Sequence, residues 1–308
     1  MTAPVLLVVS ADDHPNSTVG LCPPEGVDRD EGGQYLPSQA QRWLWECWDD
    51  VWRRVAEKKR ELGAEVYWVH CGDGADDNTH SQYGLITLNH AEMVDLSCRC
   101  RKPSLDVADR HFAVRGTPAH VGQGADLEEL IARQCGAEAD PAHPGWHSRW
   151  YWSCRINGVL VLFKHRPAST SMRYYTRGGG ANRTAVQVEM ACTRSGTEIP
   201  RAAYYGHYHH PEDSGENQPV RVFFCPPLCL RGSYEHSRGF EAEPVGVRVA
   251  ICDGGTFTPL PLADWTYAPE EEEPWCNQSA QETSHERLRK PSALRRILNR
   301  LKLTGRRG

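Results

Sequence analysis

Carboxylates and imidazoles recur in this 308-residue chain where short apolar runs stop. The densest group is Gly206-His207-Tyr208-His209-His210, which follows the small and aromatic stretch Ala202-Ala203-Tyr204-Tyr205. On extended backbone His207 and His209 would face one side, because strand side chains alternate with a period of two. Two neutral imidazoles converging on one point suit a transition-metal ion. A histidine-rich loop without metal is the other reading, and His210 fits a surface position equally well. Gly206 would let the backbone pass close to a ligand. Asp12 and His14 likewise share one side of an extended backbone after the run Pro4–Val9, with a plain polar cap as the alternative. Asp73, between Gly72 and Gly74, follows the run Glu65–His70, and its two oxygens could bridge two cations. No Lys-Ser or Lys-Thr follows these glycines, which argues against a phosphate-cradling P-loop. Asp76 and Asp77 either support that site or cap the next helix. His120 follows the stretch Asp109–Arg115, and His165 follows Val159–Phe163.

The elements that must position these groups are legible as alternating patterns. The apolar runs at Pro4–Val9 and Glu65–His70 read as buried parallel strands, whose carboxyl ends are where open α/β sheets build sites. Between them, Leu44, Trp48, Val51, Trp52 and Val55 recur at helical spacing, with Ser38 as N-cap and Gly63 just past the end. The tryptophans read as core packing on a sheet. A helix between two strands makes a βαβ crossover. Further helices are expected over 81–97, 126–135 and 172–190. A third strand is expected over 109–115. Arg149–Ile156 and Val159–Phe163 flank Asn157-Gly158, a hairpin signal. Val220–Phe224 and Val245–Ile251 are expected to be strands of a second sheet.

The ordered series Asp12-x-His14, Gly72-Asp73, Gly116-Thr117-Pro118-Ala119-His120, His165 and Gly206-His207-x-His209 resembles the calcineurin-like metallophosphoesterase superfamily. It spans roughly residues 4–252. The wording around it, Gly20-Leu-Cys-Pro-Pro24 and Arg115-Gly-Thr-Pro-Ala-His-Val-Gly122, is similar to members encoded by bacteriophages. The resemblance implies a four-layer α/β/β/α sandwich with two central mixed sheets and a site for two divalent metal ions. Manganese is the first expectation, and iron, zinc and nickel are the others. It implies that Asp12, His14 and His209 hold one ion, that Asp73 bridges, and that His165 and His207 hold the second. His120 matches the histidine that contacts the phosphate and protonates the leaving oxygen. The family usually carries Gly-Asn-His at the third motif, and here no Asn lies between Gly116 and His120. Thr117, a water or an Asn from elsewhere, such as Asn78, would have to serve. The implied activity is hydrolysis of a phosphodiester, in nucleic acid or a nucleotide, or of a phosphomonoester. The alternative is a binding protein on the same scaffold.

Composition bounds these readings. A hydrophobic share of 39% with 9% aromatics supports a true core. No signal peptide or membrane-spanning run is evident, so a cytoplasmic protein is expected, in the host cytoplasm if phage-encoded. The twelve cysteines are scattered, and Cys98-x-Cys100 and Cys225-x3-Cys229 lack the spacing of paired zinc ligands. Reduced thiols are therefore expected. The net charge of −5 hides an acidic body and a basic end. Residues 1–268 read as the catalytic domain, 269–291 as an acidic and polar linker, and 292–308 as a basic amphipathic helix or tail. Leu294, Ile297, Leu298 and Leu301 share a helical face there, among Arg295, Arg296, Arg300 and Lys302. Nucleic acid, a partner protein or a membrane surface are the partners such a tail would suit, against a plain solvated end.

Overall fold

The computed structural model describes residues 3–29, 32–77, 84–167 and 179–269. Among them the strands form two main sheets. The first runs in the order Thr256–Pro259, Arg248–Asp253, Val5–Ser10, Glu65–His70, Arg110–Val114, Ser148–Arg149. Its central strands are parallel, as the apolar runs predicted, and Arg248–Asp253 adds antiparallel to Val5–Ser10. The second runs Glu212–Asp213, Arg221–Phe224, Ala202–Tyr205, Val159–Lys164, Trp152–Ile156.

Alternation of side chains along these strands builds the layers. Leu6, Val8, Val66 and Trp68 face the helix Gln39–Leu62, meeting Leu44, Trp48, Val51, Trp52 and Val55. Val5, Leu7, Val9, Val69 and Phe112 point the other way, onto Val161, Phe163, Tyr204 and Phe223 of the second sheet. That sheet's outer face, Leu162, Ala203, Tyr205, Val222 and Phe224, packs on Ala181 and Ala185 of the helix Gly179–Ser195. The result is the predicted α/β/β/α sandwich. Trp48, Trp52 and Trp68 pack against one another with centroids 5.4, 5.7 and 6.4 Å apart, which confirms their core role. Two of their polar handles are met, Trp48 Nε1 donating to Cys100 O and Trp68 Nε1 to Ser10 Oγ, both at 2.9 Å, while Trp52 Nε1 is buried without a hydrogen bond among the described residues. The helix starts at a capping box formed by Ser38 and Gln41 and stops at Gly63, which has φ 58°.

Several elements differ from the sequence reading. Arg248–Asp253, expected in the second sheet, lies in the first beside Val5–Ser10. It can do so because both of its faces are apolar: Val249 and Ile251 meet the helix layer, and Ala250 and Cys252 the space between sheets. The run Arg149–Ile156 is not one strand. Ser148–Arg149 ends the first sheet and Trp152–Ile156 opens the second, with Trp150 and Tyr151 exposed at the crossing. The Asn157-Gly158 hairpin is present, both residues having positive φ as a type I′ turn demands. The helix expected over 81–97 is His90–Cys100, because Asn89 caps it by accepting from Ala91 N at 2.9 Å. The helix expected over 172–190 is seen as Gly179–Ser195, and 126–135 as Asp126–Gln134. Asn78, the residues 270–291 of the expected linker and the tail 292–308 lie outside the described residues. Among the described residues no helix is long and apolar enough to cross a membrane.

Candidate metal centre

Parallel strands deliver their carboxyl ends to one edge. Val5–Ser10, Glu65–His70 and Arg110–Val114 of the first sheet end there, as do Val159–Lys164 and Ala202–Tyr205 of the second. The loops that follow are laced by main-chain bonds: Asp12 N to Gly72 O (3.0 Å), His14 N to Asp73 O (3.2 Å), Gly206 N to His165 O (2.9 Å) and Leu228 N to Asp12 O (3.1 Å). Two glycines make this approach possible. A Cβ on Gly116 would lie 2.1 Å from Asp73 Oδ1 and 2.3 Å from its backbone N. One on Gly206 would lie 2.8 Å from Ala11 Cβ and 2.9 Å from Asp12 Oδ2. Gly206 thus admits a neighbouring loop, where the sequence suggested room for a ligand.

The local geometry corrects the expectation of extended backbone. Asp12, His14, Asp73, His207 and His209 all have φ between 40° and 76°, in the left-handed region. Asp and His enter it more readily than most residues, and such strained positions cluster at functional sites. The kinks separate the two histidines of His207-x-His209. The His207 ring sits beside His165, centroids 5.3 Å apart, and the His209 ring beside His14, 5.1 Å apart.

Asp73 lies between the two groups. On one side His165 Nε2 is 3.0 Å from Asp73 Oδ2, and candidate ligand atoms of Asp73, His165 and His207 lie within 4.8 Å of one another. On the other, Asp12, His14 and Asp73 meet the same limit. His209 Nε2 is 3.2 Å from His14 Nε2 and 3.5 Å from Asp12 Oδ1. The His207 backbone N–H donates to both Asp12 oxygens, at 3.0 and 2.9 Å. Thr117 donates to Asp73 through its N–H (2.6 Å) and its hydroxyl (3.1 and 3.2 Å). His120 Nδ1 pairs with Asp76 Oδ1 at 2.8 Å, and its ring packs on His14 at 4.5 Å. All predicted site residues among those described therefore converge. Asp77 instead pairs with the exposed His90 at 3.2 Å.

Charge within the cluster is strongly perturbed. Burial, with the neighbouring His120 and His209, pushes His14 well below the usual imidazole range. Burial and His165 take His207 down to about 4. Both shifts favour the neutral ring, the state a ligand requires. Burial works against His165 too, but Asp73 outweighs it and lifts the ring to about 9. Burial likewise opposes ionisation of Asp12 and Asp73, yet His209 brings Asp12 to about 2 and His165 holds Asp73 well below the carboxylate range. His120 is raised, since Asp76 and Asp73 overcome its burial.

These residues fit a divalent cation. His165 Nδ1 donates to Cys71 O at 2.6 Å, so Nε2 presents a lone pair once the ring gives up its second proton. That Nε2 is buried and lacks an aligned hydrogen bond despite its short approach to Asp73. At that distance Nε2 and the carboxylate need positive charge between them, either the ring's second proton, which the raised pKa supplies without metal, or a cation in its place. A cation with bonds of about 2.0–2.1 Å to nitrogen spaces tetrahedral ligands roughly 3.3 Å apart. The 3.0 and 3.2 Å contacts above match that spacing.

The sequence did not point to three supporting features. Asp13, His70, Arg101 and Glu128, all buried, form a brace behind the cluster. His70 Nε2 meets Asp13 Oδ1 at 2.9 Å, Arg101 Nη2 meets His70 Nδ1 and Glu128 Oε1 at 3.2 Å each, and Gly74 N donates to Glu128 Oε2 at 3.2 Å. His210, which could have been a surface residue, is buried and pairs with Glu212 at 3.0 Å, while Glu212 accepts from Ala181 N at 2.7 Å. Cys229 lies within 4.8 Å of His14 and His209 ligand atoms. For these the sequence offered only residue type, because the partners lie far apart along the chain. A cavity of about 940 Å³ opens on the cluster, walled by Tyr208, Leu230, Arg231, Glu235, Phe240 and Glu241.

The fold and site define a four-layer α/β protein with a candidate metal centre at its strand ends. No family model matches the chain, and no curated protein does. Among solved structures it is similar to Vps29 from Chaetomium thermophilum, at 8% identity and TM-score 0.43, covering 87% of this chain and 92% of that one. It is also similar to a Vps29 point mutant from Entamoeba histolytica, at 11% identity and TM-score 0.39, covering 83% and 97%. The sulfate thiohydrolase SoxB from Thermus thermophilus gives 11% and 0.40, covering 90% of this chain and 60% of that one.

Proposed function

We propose that the chain is a metal-dependent phosphoester hydrolase with two ion positions that share Asp73. The supporting observation is the placement of Asp73 between Asp12, His14 and His209 on one side and His165 and His207 on the other. The motif order that resembles the calcineurin-like superfamily supports the same assignment. Bound divalent ions would clamp the phosphate and make a water nucleophilic near neutral pH.

The chain's own residues do the rest. Thr117 hydrogen-bonds Asp73 and so orients the shared carboxylate. Asp76 holds His120 Nδ1, which leaves Nε2 to deliver a proton to the leaving oxygen. Thr117 stands where the resembling family has Asn, so the position at His165 and His207 has one protein ligand fewer. Manganese is the first choice, with iron, zinc and nickel as alternatives. The substrate is a phosphodiester of nucleic acid or a nucleotide, or a phosphomonoester. The basic residues of 292–308 would add contacts to nucleic acid or a partner protein.

The test is turnover of bis-p-nitrophenyl phosphate and p-nitrophenyl phosphate with each of the four metals, beside Asp73→Asn. Activity that Asp73→Asn lowers by about 10²-fold or more is expected, since both ions lose a shared ligand. Equal activity in the variant would sink the proposal. Stoichiometric metal without turnover would favour a binding protein on this scaffold.

A further inference from the structure

A histidine that binds a cation through Nε2 must carry its proton on Nδ1, and that N–H needs an acceptor. His165 uses the Cys71 carbonyl for this. His209 has no such carbonyl or carboxylate: among the described residues, its Nδ1 faces the Cys229 sulfur at 3.6 Å. Its Nε2 faces His14 and Asp12. The ring is 27% exposed and sits on a left-handed backbone, so packing alone does not lock its rotation.

Cys229 is itself held firmly. Leu228 N donates to Asp12 O at 3.1 Å and Leu230 N to Val19 O at 2.9 Å, which ties the chain on both sides of the cysteine to the Asp12–His14 loop. The sulfur is buried and its position follows that loop. We propose that Cys229 is a positioning residue, whose sulfur accepts the His209 Nδ1 proton and so fixes the ring with Nε2 toward Asp12 and His14. This rests on the proposed metal centre. It makes one of the two ion positions dependent on a thiol, and the other not.

The experiment is a chelator-competition titration of the apo protein with cobalt(II), on wild type, Cys229→Ala and Cys229→Ser, with optical spectra and the melting temperature of each apo form. The expected result is two cobalt equivalents in wild type without a sulfur-to-cobalt charge-transfer band. In Cys229→Ala one equivalent should weaken by about 10–100-fold, the loss usual when a ligand's hydrogen-bond partner is removed. The other equivalent should be unchanged. Cys229→Ser should recover part of the loss, because a hydroxyl also accepts from Nδ1–H. Unchanged affinity for both equivalents in both variants would overturn the proposal. So would a charge-transfer band in wild type that Cys229→Ala removes, since sulfur would then be a ligand. A wild type that takes up no metal would overturn the metal centre and this role with it.

Discussion

At the scale of single residues, the proposed function makes the pair His120–Asp76 a place where chemistry and metal binding should come apart. Its 2.8 Å contact orients the ring, and the ring packs on His14. His120→Asn should therefore lower kcat by about 10²–10⁴-fold, the range of a lost general acid. Metal content, measured by elemental analysis, should stay at the wild-type level. Loss of metal in this variant would make His120 a ligand instead. The sequence named His120 and Asp76 separately. Their pairing was hidden because they lie 44 residues apart, on loops after different strands.

At the scale of elements, the centre depends on how closely three loops pack. Gly116 passes the Asp73 backbone so tightly that a methyl group has nowhere to go, since the nearest atoms include main chain. Gly116→Ala should cost about 1–3 kcal/mol of stability, as overpacking does. It should also weaken both metal equivalents together, because Asp73 is common to them. Thermal melts and the same chelator titration check this, and unchanged metal affinity would refute it. The strands and the helix Gln39–Leu62 were legible from apolar period, cap and stop signals. The loops were not. Five ligand candidates adopt left-handed backbone, a choice set by contacts between loops and not by the residues on either side.

At the scale of the whole molecule, the brace of Asp13, His70, Arg101 and Glu128 links the loop after Val5–Ser10 to the loop after Glu65–His70. Burial disfavours a charged His70, but Asp13 outweighs it and raises the ring from 6.5 to about 9. On that shift His70 is expected to carry its second proton in the folded state at neutral pH. Its contribution to stability is complete below pH 6.5 and is lost as pH rises through about 9. The raised pKa corresponds to roughly 3 kcal/mol, at about 1.4 kcal/mol per pKa unit. Urea unfolding midpoints taken across that window should fall in wild type and fall less in His70→Asn. Parallel slopes in the two proteins would show that His70 is not charged in the fold.

The sequence by itself determined the apolar strands, the capped tryptophan helix, the hairpin at Asn157-Gly158 and the acidic and imidazole groups at strand ends. Each is a local pattern, written within a few residues by side-chain period or turn chemistry. Only the tertiary structure decided that Arg248–Asp253 joins the first sheet, that His207 and His209 part company, and that Cys229 reaches His209. Those outcomes depend on contacts between segments tens to hundreds of residues apart, which burial and loop packing select and no short window of sequence contains.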